Sequence, residues 1–252
     1  MSKCIWLFLL ISLMVSCEED KPCDILVDGV YQFPELPENH DMTSKEVTEY
    51  WNLPKDICEC ISTEGLIETC LNYPDIDLIL AGANPQSGYN MVAERFRGLE
   101  ELSSRSDRAT YLLRKYKEID PLGYNTDWND IDISGYIINN IWYYQIILSQ
   151  YINLETFTNK QKKIELIEEA IETYDKCKED TENNNDIFSL GSTAVVMGRL
   201  MKVDEYKPFM KLWEENDVVG ETIEFYWPTT YEAVDLIYTL SKDYLQTLKS
   251  EK

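Results

Sequence analysis

Apolar residues recur at helical spacing along most of the chain from Thr43 onwards. Leu66, Ile67, Cys70 and Leu71, for example, lie at positions i, i+1, i+4 and i+5, which places them on one face of an α-helix. Prolines at positions 74 and 121 fall between such runs, where they end helices because the residue before proline avoids the helical backbone region. No stretch alternates between apolar and polar residues for long enough to form a sheet. The pattern predicts an all-α fold.

Hydroxyl side chains mark the predicted helix starts, since they can accept hydrogen bonds from the free N–H groups of a first turn. Thr43 and Thr229 each precede a glutamate by three residues, which is the spacing of a capping box. Ser62, Ser106 and Thr158 precede further apolar runs. From residue 85 a single long helix is predicted as far as residue 102, with a bend or a close helix approach at its internal glycine, residue 98.

Two predicted helices stand out by composition. Residues 134–154 are apolar around most of the helix circumference, so we expect this helix to be the most buried and assign Trp142, Tyr143 and Tyr144 to the core. Residues 187–201 mix small and large apolar side chains and resemble an inner helix of HEAT-like repeats. Because no motif recurs at a fixed period, we predict an irregular array or bundle of helical hairpins, HEAT-like at best.

The N-terminus has the pattern of a signal peptide. Lys3 precedes a largely apolar stretch of 11 residues, 5–15. This stretch is too short for a membrane-spanning helix, which needs about 20 residues. The pair Ser16-Cys17 that follows resembles a bacterial lipobox, in which the chain is cut before the cysteine and the cysteine is lipidated; Met14 departs from the leucine usual at its position. The alternative is an ordinary secretory signal, with Cys17 free to form a disulfide.

These features predict a domain organisation and a cellular location. Residues 1–16 form the signal peptide, residues 17–42 a lipidated N-terminus and extended tether, and residues 43–252 the helical domain. The acidic run Glu18-Glu19-Asp20 is similar to signals that mark lipoproteins for the cell surface, although a solvated tether would look the same. We expect an outer-membrane lipoprotein, on the periplasmic face or at the cell surface, attached to the membrane through Cys17.

The stretch from residue 53 to residue 120 carries a second resemblance. Its matching positions are 61–71, Tyr73, Pro74, Gly88, Tyr89, Val92, Phe96, Gly98, Leu99, Glu101, Leu102, Arg105 and Asp107. They resemble a family of uncharacterised, mostly helical lipoproteins of Gram-negative bacteria, from which Arg97 departs because asparagine is usual there. The resemblance implies a helical fold and a cell-envelope address, and it implies no reaction.

Charge and cysteine usage narrow the classes of partner. The formal net charge is −23, and such a chain repels phosphate backbones, so we expect no nucleic-acid partner. Five cysteines follow Cys17, an odd number whose pairing the sequence leaves open: Cys23, Cys58, Cys60, Cys70 and Cys177. Cys58 and Cys60 point to different sides of a helix, and Cys70 on the apolar stripe is expected to be a small buried hydrophobe.

Few residues suggest a catalytic or metal site. The only histidine is His40, which excludes any site built from several histidines, and no cofactor is expected. Calcium is the alternative, because one predicted loop is crowded with oxygen ligands, although it lacks the glycine and glutamate of an EF-hand. The candidate ligands are Asp120, Asn125, Asp127, Asn129, Asp130 and Asp132.

Two functional hypotheses follow. The first is a lipid-anchored, non-enzymatic helical scaffold that binds a protein or another partner at the cell envelope. The second is a surface protein that binds or cleaves glycans. In the second case Trp128, Tyr226 or Trp227, which are predicted to lie in loops, could stack on sugars, and a pair of carboxylates would be needed for cleavage.

Overall fold

A computed structural model describes residues 22–125, 127–179, 187–226, 228 and 230–250 of the protein, with the side chains of residues 187 and 188 left out. This part of the chain is helical and contains no strand, only an isolated bridge between Val27 and Val30. The all-α prediction is therefore confirmed. The helices are α1 (Ser44–Tyr50), α2 (Lys55–Cys60), α3 (Thr63–Leu71), α4 (Pro85–Ala93), α5 (Arg97–Ser104), α6 (Arg108–Glu118), α7 (Asp130–Ile137), α8 (Tyr143–Leu148), α9 (Tyr151–Leu154), α10 (Lys160–Glu179), α11 (Ile187–Val203), α12 (Lys207–Glu215), α13 (Asp217–Phe225) and α14 (Tyr231–Ser250). Short 3-10 turns cover Pro22–Ile25 and Ile76–Ala81, and a π-turn covers Ile138–Trp142.

Several predicted caps are present. Thr43 forms the capping box that starts α1, and the Ser62 hydroxyl accepts a 3.0 Å hydrogen bond from the N–H of Gly65. The predictions at Ser106 and Thr158 were wrong. Asp107 occupies the N-cap of α6, and α10 starts after Asn159, whose side-chain oxygen accepts hydrogen bonds from the N–H groups of residues 161 and 162. Thr229 lies outside the described residues.

The helix predicted from residue 85 to residue 102 is divided into α4 and α5. The backbone of Phe96 is extended, which turns its ring inward to stack on Tyr73 with the ring centroids 4.1 Å apart. Gly98 fits under this ring, because a Cβ atom at that position would collide with it. The bend or close helix approach predicted at Gly98 is replaced by a break in the helix just before it and by contact with the Phe96 ring. Burial of Phe96 outweighs continuity of the helix.

The helix predicted over residues 134–154 also differs from the structure. The helical path begins earlier, at Asp130, passes through the π-turn into α8, and is interrupted at Gln150, where the backbone is extended. Residues 141–150 are buried, including Trp142, Tyr143 and Tyr144 as predicted, whereas residues 139 and 140 are exposed.

Among the described residues the longest continuous buried run, 189–201, belongs to α11. The helix predicted over residues 134–154 is exposed at residues 139 and 140, so the prediction that it would be the most buried was wrong. Every side chain from residue 189 to residue 201 is buried, because α11 contacts α8, α9, α10, α12, α13 and α14. Gly198 permits the close approach of α13, since a Cβ atom there would collide with the side chain of Ile223. The main hydrophobic core is built around this helix.

The segment predicted as a tether packs on the helical domain along much of its described length. A disulfide joins Cys23 to Cys60 at the end of α2, and the rings of Tyr31 and Phe33 pack against the main core. The N–H of Tyr31 donates a 3.1 Å hydrogen bond to the hydroxyl of Thr69. The folded unit therefore extends to the N-terminal side of residue 43.

Arginine side chains bind the carbonyl groups at helix ends, which lack partners within their own helices. Arg105 donates to the carbonyl oxygens of residues 58 and 61 at the end of α2. Arg108 donates to those of residues 105 and 152. Arg199, which is 1% exposed, donates to Ile223 and Glu224 at the end of α13 and to Ser149 after α8. These guanidinium groups join helices that are distant in sequence.

Candidate functional site

An open groove lies along one face of α7 and the π-turn. Its volume is about 580 Å³, and it is widely open to solvent. The lining residues are Trp128, Ile131, Asp132, Gly135, Tyr136, Asn139 and Asn140. Six of them form two rows at i, i+4, i+8 spacing, one from residue 131 and one from residue 132, so a single helical face supplies most of the groove.

The cap of α7 fixes the start of this face. The side-chain oxygen of Asn129 accepts hydrogen bonds from the N–H groups of Ile131, at 3.0 Å, and Asp132, at 3.1 Å. Its amide nitrogen donates a 2.8 Å hydrogen bond to the Asp132 carboxylate. The Asp132 carboxylate is thereby held at the first turn of the helix, where a negative charge is favourable.

Aromatic rings form one side of the groove. The Trp128 and Tyr136 centroids lie 6.3 Å apart, and Tyr136 meets the buried Tyr124 edge-on at 5.9 Å. The Tyr136 hydroxyl donates a 3.0 Å hydrogen bond to the carbonyl of Asp120. Partial burial, together with the nearby Asp120 carboxylate, raises the pKa of Tyr136, so the phenol stays neutral and continues to donate.

The π-turn shapes the far end of the groove. It leaves Asn139 and Asn140 exposed while Ile141 and Trp142 turn into the core. The Asn140 amide donates a 2.9 Å hydrogen bond to the carbonyl of Tyr136. π-Turns inside helices are frequent at functional sites, and this one presents two side-chain amides beside an aromatic surface.

Two large apolar side chains stand open to water at this groove. Ile131 is 82% exposed and Trp128 is 43% exposed. Single exposed apolar residues are common on protein surfaces, but two of them lining one cleft are typical of a binding surface. The arrangement can bind an apolar group and orient it with polar side chains.

The six predicted calcium ligands are all exposed, and four of them hold local turns. Asp120 accepts from the N–H of Leu122, and Asn125 accepts from the N–H of Asp127. Asn129 caps α7 and bonds Asp132, while Asp130 lies in the first turn of that helix. Across the described ranges, no group of three or more histidine, cysteine, aspartate or glutamate side chains is placed to hold a metal ion.

Other residues singled out from sequence lie apart from the groove. His40 is exposed in a turn, where its N–H donates to the carbonyl of Pro37. Tyr226 lies just after α13, outside any helix, as predicted, but it is not placed to stack on a sugar. It is fully buried beside the Arg199 guanidinium, 5.4 Å from its ring centroid. Trp227 lies outside the described residues.

A second cleft of about 330 Å³ lies where α11 leads into α12, against the end of α14. One of its two acidic residues, Asp204, forms a salt bridge with Lys163 and accepts a 2.7 Å hydrogen bond from the hydroxyl of Tyr244. These contacts join α10, α11 and α14. They give the Asp204 carboxylate a structural role.

The described cysteines comprise a surface disulfide, two buried thiols and the half-buried Cys177. Cys23 and Cys60 are bonded at the surface with their Cα atoms 5.9 Å apart. Cys58 and Cys70 are buried, and burial raises the pKa of both thiols, so they stay protonated. Cys70 is the small buried hydrophobe that the apolar stripe predicts.

None of the described helices is long and apolar enough to cross a membrane. Cys17 and the signal peptide lie outside the described residues. Comparisons of the chain with protein-family models, with curated proteins and with solved structures find no match. The resemblance to a lipoprotein family therefore stays a prediction, and the groove is interpreted from its own residues.

Sequence reasoning identified part of this groove. Trp128 was singled out as a loop aromatic, and Asp132 as a candidate ligand. Ile131 was missed because the sequence around it was assigned to a loop, whereas Tyr136, Asn139 and Asn140 were missed because they lie in the helix predicted over residues 134–154, which was expected to be buried. The signal that could have revealed them is Asn129, a strong N-cap residue three positions before an aspartate.

Proposed function

We propose that this protein is a lipid-anchored cell-envelope scaffold that binds an apolar segment of a partner protein in the groove along α7. One observation carries the proposal: Ile131, in the first turn of the capped helix α7, and Trp128, just before that helix, both line the groove and are exposed to water. An isoleucine side chain that is covered on binding contributes roughly 1.5–3 kcal/mol. Asp132, Asn139 and Asn140 would orient the bound segment through hydrogen bonds.

The anchor and the address rest on the sequence. Ser16-Cys17 after an apolar run of 11 residues supports lipidation of Cys17, and the acidic residues 18–20 support an outer-membrane lipoprotein, at the periplasmic face or the cell surface. The Cys23–Cys60 disulfide supports export to an oxidising compartment.

The groove is tested by capture of partners from cell-envelope membranes with the intact lipoprotein. Ile131→Asp places a charge in the apolar contact, and Val218→Asp, at a residue 37% exposed on α13, is the matched control. We expect a partner that is retained by wild type and Val218→Asp and lost with Ile131→Asp. Capture of the same proteins by all three would contradict the groove as the binding surface.

The anchor is tested separately at Cys17. Replacement by alanine removes the group that would be acylated, so Cys17→Ala is expected to leave the precursor unprocessed or to release the protein from the membrane. The mass of the mature N-terminal peptide gives the direct measurement. An unmodified N-terminus at another residue would contradict lipidation.

A glycan is the second candidate ligand, favoured by the half-exposed Trp128 ring beside the Asn139 and Asn140 amides. Aromatic faces stack on sugars, and amides bind hydroxyl groups. The groove lining contains one carboxylate, Asp132, whereas glycosidases use two, so this candidate is binding. Oligosaccharide binding that is lost with Trp128→Ala and kept with Ile131→Asp would favour it over a protein segment.

A further inference from the structure

The Cys23–Cys60 disulfide fixes the chain to the folded domain very close to the proposed anchor. It joins the first 3-10 turn to the last residue of α2. Only five residues, 18–22, lie between Cys17 and Cys23. Cys60 is 43 positions from Cys17 in the sequence. The disulfide nevertheless gives a much shorter covalent path from Cys17 to α2, which runs through Cys23.

The length of this connection limits how far the domain can move from a membrane. Six residue steps at about 3.6 Å each span at most about 22 Å. A folded chain of about 230 residues has a radius of gyration of roughly 17 Å, and therefore a width well above 22 Å. The domain cannot swing clear of a bilayer to which Cys17 is attached, so the face around Cys23 stays next to the lipid.

That face carries two exposed apolar side chains. Ile25 is 59% exposed and Val27 is 56% exposed. A tight turn holds them in place: Asp28 and Gly29 both have positive φ angles, and backbone hydrogen bonds of 3.0 and 2.9 Å join Val27 to Val30.

This turn lies directly on α3, because a Cβ atom at Gly65 would collide with the carbonyl oxygen of Gly29. The N–H of Tyr31, just after the turn, is bonded to α3 through Thr69. The apolar pair is thus presented by a supported edge of the fold.

We propose that this edge, Ile25 and Val27 together with the adjacent end of α2, lies on the phospholipid surface and places its two apolar side chains at the boundary between headgroups and acyl chains. The inference rests on the proposed lipidation of Cys17. Asp24 and Asp28 lie on the same edge and the net charge is −23, so the contact favours zwitterionic over anionic headgroups.

Glu59 is the position for the probe. It is exposed and neighbours Cys60. Only the disulfide holds this end of α2 close to the membrane, so a probe at Glu59 tests the disulfide connection. A probe at Ile25 would contact lipid through the short chain to Cys17 even without the disulfide. The full lipidated protein carries the photoreactive residue p-benzoylphenylalanine at Glu59 and is reconstituted into phosphatidylcholine vesicles. Irradiation followed by mass spectrometry counts the lipid adducts.

The control variant lengthens the connection and removes the apolar contact. It carries 20 Gly/Ser residues inserted after Asp20 together with Ile25→Asp and Val27→Asp, both at exposed positions that leave the core intact. We expect adducts at Glu59 to be several-fold more abundant without these changes than with them. Equal adducts in the two proteins would overturn the membrane contact.

The same samples separate the two proposals. The mass of the N-terminal peptide reports whether Cys17 is acylated. A lipidated Cys17 with equal adducts overturns the membrane contact and leaves the anchor standing. An unmodified Cys17 overturns the anchor, and with it the contact that depends on it.

Discussion

The chain from α7 through α8 divides into two regions, residues 130–141 and residues 142–148. They differ in packing although both are rich in apolar residues. The first part contributes Ile133, Ile137 and Ile141 to a small cluster completed by Tyr124. The second part is buried without interruption in the main core. The difference comes from the neighbours: α8 is covered by α11, whereas the small cluster is covered by Ile119 and Leu122 from the preceding loop. Apolar composition alone therefore does not determine burial.

The two regions also differ in whether their polar groups pair with each other or face water. In the main core Gln145 is fully buried, and its amide donates to the hydroxyls of Thr193, at 2.9 Å, and Tyr116, at 3.1 Å, while Ser192 donates to its oxygen. Such a satisfied network fixes one arrangement of the helices. At the small cluster the polar groups face water and the groove. Binding surfaces tend to lie in regions of lower local stability, and we expect the small cluster to be such a region.

The largest expected effect is at the junction of the two regions. Ile141 is 1% exposed, so Ile141→Asp would place a charge where no water reaches it and should lower the free energy of unfolding by on the order of 4 kcal/mol. Denaturant unfolding measures the loss. Ile152→Asp, at a residue 48% exposed, is the control and should change the midpoint little. An unchanged midpoint for Ile141→Asp would mean that the junction is not buried.

A matched pair of truncations sharpens the comparison. Ile237 in α14 belongs to the main core and Ile133 to the small cluster. Ile237→Ala should cost about 3 kcal/mol and Ile133→Ala about 2 kcal/mol, because the shallow cluster can close over the lost methyl groups more easily.

Hydrogen exchange shows which helices lose stability in each of these two variants. Ile133→Ala is expected to speed exchange mainly in α7, whereas Ile237→Ala should speed it throughout the main core. Equal global losses for the two variants would show that the clusters unfold as one unit.

The smallest expected effect concerns the cap of α7. Asn129→Ala removes two hydrogen bonds to the first turn and should cost about 1 kcal/mol. If Asn129 acts only as a cap, thermal unfolding will show the same loss in EDTA and in millimolar calcium. A loss confined to calcium would instead support a metal site among the acidic residues of this loop.

Short-range features of the fold could be predicted from the sequence. The capping box at Thr43 and the cap at Ser62 depend on residues within one turn of each other, so local chemistry determines them. The breaks at Phe96 and Gln150 could not be predicted in the same way. They depend on a ring stack with Tyr73 and on side-chain contacts of Gln150 with Gln86, 64 positions away, which only the tertiary arrangement creates.

For the groove, too, the sequence predicted what local residues determine and missed what depends on the rest of the fold. Trp128 could be recognised from its position among polar residues, but the groove needed the π-turn, which has no clear signature in sequence. The pairing of Cys23 with Cys60 was also left open, because five cysteines allow several pairings and only the path of the N-terminal segment over α3 selects one.

The burial of arginine side chains at helix ends affects the electrostatic repulsion between separate copies of the protein. The guanidinium groups of Arg108 and Arg199 are 7% and 1% exposed, so two positive charges lie inside the protein. Their burial leaves fewer positive groups at the surface of a chain whose formal charge is −23. At physiological ionic strength this repulsion acts over about 8 Å, and it favours neighbouring copies that remain apart over copies that self-associate.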